Sequence, residues 1–240
     1  MPKGMLLNEE NMKLTTLLLA ASLFTLSALQ LSAGTRIDNV VMDVDSRGRA
    51  SAEITNISDQ RMGYVLTPYE WKIDEGEDIF SETKQFMALP PTFQLGPGET
   101  ITVRVGFRNP TPAKVERTFR LSVREVPNET AEQGLTFAYN HMLPVYVAPT
   151  GGRQPSNIEW SLILREGSWY VRAENKGNSR AVLKSLSVDG KQVATSSKAT
   201  ILAQSWREYA VPSSAESNGR SELAYEFLGG MRGSLTVDAK

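Results

Sequence analysis

The chain has 240 residues, of which 40% are hydrophobic and 22% charged, and its formal net charge is −1. This length allows two domains of about 100 residues each or one larger domain, and the charge balance is unlike that of a polybasic nucleic-acid binder or a disordered acidic tail. Cysteine is absent, which excludes disulfides, thiolate metal sites and thiol catalysis. The stability of the fold must therefore come from packing.

The N-terminal segment is typical of an export signal. Lys13 is followed by an uncharged apolar run over residues 14–29 and by small residues at 32–34. This pattern predicts a secretory signal peptide over residues 1–33, with Met12 as an alternative initiator. A membrane anchor is the competing interpretation, because the run approaches the roughly 17 residues needed to span a bilayer. The small residues favour cleavage, so we expect a mature chain without stable membrane insertion.

Short strand-like segments follow, separated by turns rich in Gly, Pro, Asn and Asp. No stretch keeps a 3.6-residue apolar period for more than about two turns, which predicts an all-β fold. The candidate strands of the first domain are residues 40–44, 50–56, 64–73, 93–95, 100–107, 118–125 and 135–147. Seven strands at this spacing favour a β-sandwich.

The alternating pattern stops at PTGGRQPSN, residues 149–157, and then restarts. We therefore predict a boundary between domains at residues 34–149 and 150–240. The candidate strands of the second domain are residues 159–164, 169–174, 181–188, 192–194, 205–211, 222–227 and 234–237. Asp189 and Gly190 carry the signal of a tight hairpin turn between two of these strands.

Few residues offer enzymatic chemistry. His141 is the one histidine, and the chain has no G-x-S-x-G elbow, P-loop or dinucleotide fingerprint. A structural role for His141 is favoured over that of a general base in a hydrolase, and we predict no metal, no cofactor and no enzymatic activity. Aromatic residues at strand spacing are core residues or, alternatively, a sugar-binding platform; they are Tyr69, Trp71, Trp160, Trp169 and Tyr170.

Three segments together resemble the periplasmic chaperones that assemble chaperone–usher pili. They are LPPTFQLGPGETITVRV at residues 89–105, ERTFRLSVREVP at 116–127 and GLTFAYNHMLPVYVAP at 134–149. The resemblance includes the Pro90–Pro91 pair, the Pro-Gly-Glu turn and the Arg-Glu-Val-Pro ending. It implies two immunoglobulin-like β-sandwich domains in tandem after the signal peptide, in a divergent branch of the family.

The resemblance also implies a function. In this family the last strand of the first domain lends alternate hydrophobic side chains to a pilin subunit that lacks a strand. Matched to that strand, Leu135, Phe137 and Tyr139 are the donated residues, and His141 is next on the same face. The implied partners are pilin subunits and an outer-membrane usher in the periplasm, and not nucleic acid. The alternatives are an ordinary core strand here and, for the whole chain, a secreted adhesin or carbohydrate-binding module.

The family's carboxylate clamp is altered in this sequence. Family members hold the terminal carboxylate of the pilin between an arginine of the first strand and a lysine of the last. Here the lysine position falls on Pro144 and the arginine position falls near Asn39. Arg36 is the nearest arginine and is the candidate carboxylate anchor if the first strand begins early enough to place it in the cleft; simple surface exposure is the favoured alternative.

Members of this family also have a charge network between their two domains, and this sequence lacks some of the residues that form it. Glu116 matches its acidic member, but the usual arginine and aspartate partners fall on Ala148 and Phe227. We therefore expect Arg104 to pair with Glu116 within the first domain.

Overall fold

The computed structural model describes residues 34–108, 113–127, 138–212 and 219–238. The predicted signal peptide lies outside these residues, as do Leu135 and Phe137. The described residues form eighteen β-strands and one short 3₁₀ turn, Ser196–Lys198. None of their helical segments is long and apolar enough to cross a membrane.

The first ten strands form two sheets that face each other. One sheet has the order β1-β3-β8-β6, and the other has the order β2-β10-β9-β4-β5, with β7 also paired to β4. The bounds are β1 Thr35–Asp38, β2 Met42–Val44, β3 Arg49–Asn56, β4 Met62–Asp74, β5 Glu77–Glu82, β6 Phe86–Leu89, β7 Thr92–Leu95, β8 Thr100–Phe107, β9 Arg117–Pro127 and β10 Asn140–Val147.

Alternating side chains build the core between these two sheets. In β8 the alternate residues Val103, Val105 and Phe107 are buried, and β9 supplies the matching side chains from the opposite sheet. This is the pattern expected of strands that have one face in the core. The central members of the cluster are Ile54, Val103, Val105, Phe119, Leu121, Val123 and Val145.

The remaining strands form a second pair of sheets. Their orders are β11-β12-β16 and β14-β13-β17-β18, with β15 paired to β13. The bounds are β11 Ile158–Arg165, β12 Ser168–Asn175, β13 Ala181–Val188, β14 Lys191–Gln192, β15 Thr200–Ile201, β16 Trp206–Ala210, β17 Arg220–Phe227 and β18 Arg232–Asp238. The core between them is centred on Leu162, Val171, Leu186, Val188, Ile201 and Leu223.

The prediction of an all-β fold with two β-sandwiches is confirmed. The predicted hairpin is present, because Asp189 and Gly190 both have positive φ, 49° and 75°, and join β13 to β14. The three tryptophans among the candidate aromatic residues pack in apolar clusters, since Trp71 is 1% exposed and Trp160 and Trp169 pack against the second core. The predicted boundary between residues 149 and 150 stays a prediction.

Four strands were not predicted: β1, β5, β6 and β15. Strand β5 has the sequence EDIFSE, whose acidic and mostly exposed residues carry little β propensity. It forms because the turn at Glu75 and Gly76 folds it back along β4, and all its backbone pairing is with that neighbour. Such hairpin strands depend on their partner more than on their own composition.

Candidate functional site

Strand β10 has an open edge along its first half. On one side β9 pairs with β10 along its whole length, Asn140–Val147. On the other side β2 pairs with it only from Val145 to Val147. Pro144 lies where this second pairing begins, a position that tolerates proline because it is an edge. Among the described residues, the edge formed by residues 140–144 is therefore available to an added strand.

The side chains of β10 continue the core face of the first sandwich toward this open end. Leu143 and Val145 are 4% and 0% exposed and belong to the core. Because side chains in a strand alternate between faces, His141 and Tyr139 lie on the same face, and Tyr139 is 53% exposed. The predicted donor residues Phe137 and Leu135 lie outside the described residues.

A buried carboxylate holds the start of β10. Glu125 of β9 is 2% exposed, and its Oε2 accepts the backbone N–H of Tyr139 at 3.0 Å. Its Oε1 accepts the hydroxyl of Thr35 and lies 3.3 Å from Nε2 of His141. Thr35 also lies 3.0 Å from the hydroxyl of Tyr64, and burial raises the pKa of that hydroxyl. His141 thus contacts a structural carboxylate.

Sequence reasoning missed Glu125, although a signal for it exists. In β9 the residues with the same parity, Phe119, Leu121 and Val123, are buried in the core. A glutamate in the next position of this series must be buried as well, and a buried carboxylate requires hydrogen-bond donors. That pattern marks Glu125 as a structural anchor.

The opposite face of β10 lines a cleft between the two sandwiches. Pro144 and Tyr146 contribute to it from the first sandwich, and Val182 and Leu228 from the second. The cleft has a volume of about 410 Å³ and its lining contains the three arginines Arg120, Arg153 and Arg180. Three cationic side chains therefore line the cleft. Whether each of them is already paired with an acid decides whether the cleft can bind an anion.

Two of the three arginines are neutralised by acids. Nε of Arg153 and Nη1 of Arg180 donate to Oε1 of Glu116 at 2.7 and 2.6 Å, and both guanidinium groups also contact Asp43. The guanidinium of Arg180 lies 3.5 Å from the ring centroid of Tyr146. Burial opposes the charge of Arg153, but the hydrogen bonds and negative charges of Glu116 and Asp43 together outweigh burial and raise the pKa of Arg153.

This network corrects the predicted Arg104–Glu116 pair. Arg104 lies exposed in β8, where its register partners are Ser51 and Leu89. Glu116 precedes β9, which belongs to the opposite sheet, and its carboxylate is held by arginines that follow the first sandwich. The pair does not form because Arg104 is exposed on β8, whereas the carboxylate of Glu116 is bonded to Arg153 and Arg180.

The third arginine has no acidic partner within 4 Å among the described residues. Nη1 of Arg120 donates to the carbonyl oxygen of Met142 in β10 at 2.9 Å. The guanidinium lies 3.9 Å from the ring centroid of Trp71, and its Nε is a buried donor without a hydrogen-bond partner in the described structure. Burial lowers the pKa of Arg120. A desolvated cation of this kind favours an anion in the cleft.

Arg36, the carboxylate anchor expected from the sequence, lies in β1. Its side chain is 59% exposed and its Nε is 3.5 Å from Asp38. Its Nη2 lies 3.4 Å from the hydroxyl of Thr55. Arg36 is not among the residues that line the cleft, and its assignment stays a prediction.

The model of the pili and flagellar-assembly chaperone family, PapD N-terminal domain, matches residues 33–153. The chain belongs to this family. No curated protein matches it in sequence. The match spans the whole first sandwich and the residues that build the cleft as far as Arg153.

Solved structures show the same two-sandwich fold over most of the chain. The chaperone–tip adhesion subunit pre-assembly complex CsuC–CsuE, from archaic chaperone-usher Csu pili of Acinetobacter baumannii, is similar over 87% of this chain and 100% of that chain, with TM-score 0.67 and 18% identity. The Salmonella enterica SafA pilin–SafB chaperone complex is similar over 86% of this chain and 96% of that chain, with TM-score 0.63 and 15% identity. The E. coli chaperone DraB is similar over 87% of this chain and 97% of that chain, with TM-score 0.61 and 16% identity.

Proposed function

We propose that this protein is a periplasmic chaperone that binds pilin subunits by donor-strand complementation and delivers them to an outer-membrane usher. The observation that carries the proposal is the open edge of β10, which continues the core face of the first sandwich beyond Leu143. Family membership and the fold support the same conclusion. SafB and CsuC are each named in complex with a pilus subunit.

The donated strand would stabilise its client in two ways. Leu135, Phe137 and Tyr139 would enter an apolar groove of the pilin, and burial of each large apolar side chain contributes about 1.5–3 kcal/mol. The backbone of the strand would also pair with an edge of the pilin that otherwise promotes aggregation. No nucleotide or cofactor is needed, because exchange of this strand for a better-fitting strand of another subunit would supply the free energy of assembly.

We further propose Arg120, in preference to Arg36, as the anchor for the terminal carboxylate of the client. Pro144 occupies the family's lysine position, and Arg120 is its register partner across β9 and β10. Paired residues on neighbouring strands lie on the same face of a sheet. The neighbouring strand thus supplies the positive charge, and a carboxylate could satisfy the unpartnered Nε of Arg120.

Substitution of Phe137 by Glu tests the proposed function. A charge cannot enter the apolar groove of the client without a cost of several kcal/mol, so we expect capture of a co-expressed pilin subunit to be lost. Leu164→Glu is the matched control, because Leu164 is 55% exposed on the second sandwich. Co-purification from the periplasm measures capture, and circular dichroism checks the fold. Wild-type capture by a folded Phe137→Glu protein would refute strand donation through this residue.

A further inference from the structure

A buried arginine of the second sandwich clamps the β4–β5 hairpin of the first. Arg207 of β16 is 1% exposed, and its Nη1 donates to the carbonyl oxygen of Gly76 at 2.7 Å. Its Nη2 donates to the carboxylate of Asp78, and its Nε donates to the carbonyl oxygen of Thr200 at 3.1 Å. The three nitrogens of this guanidinium are therefore all bonded, two of them to the hairpin.

The tip of the hairpin lies directly against the second sandwich. Gly76 has φ of +79°, and a Cβ added to it would lie 2.6 Å from Cζ3 of Trp206. No side chain fits between this backbone and the indole ring. On the exposed side of the same hairpin, Glu77 pairs with Lys198. The contact leaves the hairpin little freedom to shift relative to Arg207.

Asp78 connects this clamp to a buried indole. Its Oδ1 accepts hydrogen bonds both from Arg207 and from Nε1 of Trp71, the latter at 2.7 Å. Trp71 is 1% exposed and forms an apolar cluster with Tyr146 and Leu202. The position of the indole is thus set by a carboxylate on one side and by packing from both sandwiches on the other.

The indole in turn supports the cleft arginine. The guanidinium of Arg120 lies over the Trp71 ring at 3.9 Å from its centroid, while its Nη1 is tied to the backbone of β10. The contacts run without a gap from Arg207, through Asp78 and Trp71, to Arg120. A cation–π contact depends on the placement of the ring beneath the cation.

We infer that Asp78 and Arg207 are positioning residues for carboxylate recognition: they hold the Trp71 ring on which the Arg120 guanidinium rests and so aim that guanidinium into the cleft. This inference rests on the proposed function and on Arg120 as its anchor. A long side chain that is already held in its binding geometry loses less conformational entropy when the ligand arrives. The contacts that Arg207 and Asp78 make would therefore raise the affinity for a peptide with a free carboxylate, and not the affinity for extended peptides in general.

The test compares two synthetic peptides that differ only at their C-terminus. Both have the same twelve-residue sequence of alternating Val and Thr, and one ends in a free carboxylate while the other ends in an amide. We expect the full mature protein to prefer the carboxylate by about tenfold or more, the range of a charge-assisted hydrogen bond. Dissociation constants from fluorescence anisotropy give this ratio.

Two variants break the series of contacts without removing Arg120. Trp71→Phe keeps an aromatic ring but loses the N–H bonded to Asp78, and Asp78→Asn keeps the shape but loses the charge that pairs with Arg207. In both we expect the preference to fall to about threefold or less, with affinity for the amide unchanged. Lys198→Gln, which breaks the exposed pair on the same hairpin, is the matched control and should keep the full ratio.

A spectroscopic readout separates positioning from a general loss of stability. The Arg120 Nε–H proton should show a ring-current shift in the wild type, assigned by its disappearance in Arg120→Lys, and should lose that shift in both variants. If the folded variants keep both the chemical shift of the Arg120 Nε–H proton and the affinity ratio of the two peptides, Asp78 and Arg207 are not positioning residues, and the proposed function is unaffected. Equal binding of the two peptides by the wild type would overturn Arg120 as the anchor and the inference with it, while strand donation would stand on the Phe137→Glu result.

Discussion

The carboxylate of Glu125 accepts the backbone N–H of Tyr139 at 3.0 Å, so a buried side chain of β9 fixes the start of β10. The backbone N–H of Glu125 donates to the carbonyl oxygen of Tyr139 at 2.9 Å, which closes the contact from the other side. The backbone of Tyr139, at the start of β10, is thus fixed to β9 by two hydrogen bonds. A strand that is offered to a partner binds more tightly when its base is already ordered.

Replacement of Glu125 by Ala should destabilise the protein by about 1–2 kcal/mol, because it removes the acceptor of the partly buried hydrogen bonds from Thr35 and Tyr139. Glu125→Gln should cost less, since one amide oxygen still accepts a hydrogen bond. Urea unfolding of both variants measures the difference, with the exposed Glu53→Gln as control. Equal stability of Glu125→Ala and the wild type would show that this carboxylate does not hold the strand.

His141→Gln should keep both the fold and pilin capture. Its Nε2 lies 3.3 Å from Glu125, and the glutamine amide can donate to the same carboxylate, so the expected loss of stability is about 0.5–1.5 kcal/mol. An enzyme that used its one histidine as a general base would instead lose about 10²–10⁴ in rate. A pilus-assembly assay decides between the two. Loss of assembly by a folded His141→Gln protein would reopen a chemical role for the histidine.

Arg120→Met should weaken client binding while stability stays equal or rises. The substitution removes a partly buried cation that has no acidic partner within 4 Å in the described structure, and such replacements are often neutral or stabilising. Loss of one charge-assisted anchor should reduce affinity for a free carboxylate by about tenfold or more. Melting curves and peptide binding measure the two effects on one sample.

Arg36→Ala is the comparison for that experiment, because Arg36 is exposed on β1 and does not line the cleft. We expect its affinity for the same peptide to equal that of the wild type. A loss of affinity in Arg36→Ala, with Arg120→Met unaffected, would return the anchor to Arg36, the arginine nearest to the family's arginine position.

Glu116→Ala should be destabilising by about 1–3 kcal/mol, because Arg153 and Arg180 lose a buried acceptor and keep only the exposed Asp43 as an acidic partner. Arg104→Ala should change stability by no more than about 0.5 kcal/mol, as expected for an exposed side chain. Calorimetric unfolding of both proteins checks the corrected pairing. Comparable losses in the two variants would restore the pair that was expected between Arg104 and Glu116.

The sequence determined the fold class because strand periodicity and turn chemistry are local. Strand β8 was predicted with the bounds that the structure has, Thr100–Phe107, and the Asp189–Gly190 turn requires only residues with positive φ. Strand β5 was missed because its acidic residues are held by pairing with β4. Local pattern therefore predicts strands with a face in the core better than strands that depend on a neighbour.

Only the tertiary structure decided which residues meet in the cleft and how they are paired. The sequence indicated that Glu116 belongs to a charge network, but alternation shows only which face of a strand a residue occupies and not which faces meet. Arg207 and Asp78 are separated by 129 positions in the chain, and their contact exists only once two sandwiches are packed together. Arg120 likewise takes its place from a buried ring and a neighbouring strand. Residue type and parity thus determined the two sandwiches and the face of β10, whereas the pairing of buried charges required the docking of one sandwich on the other.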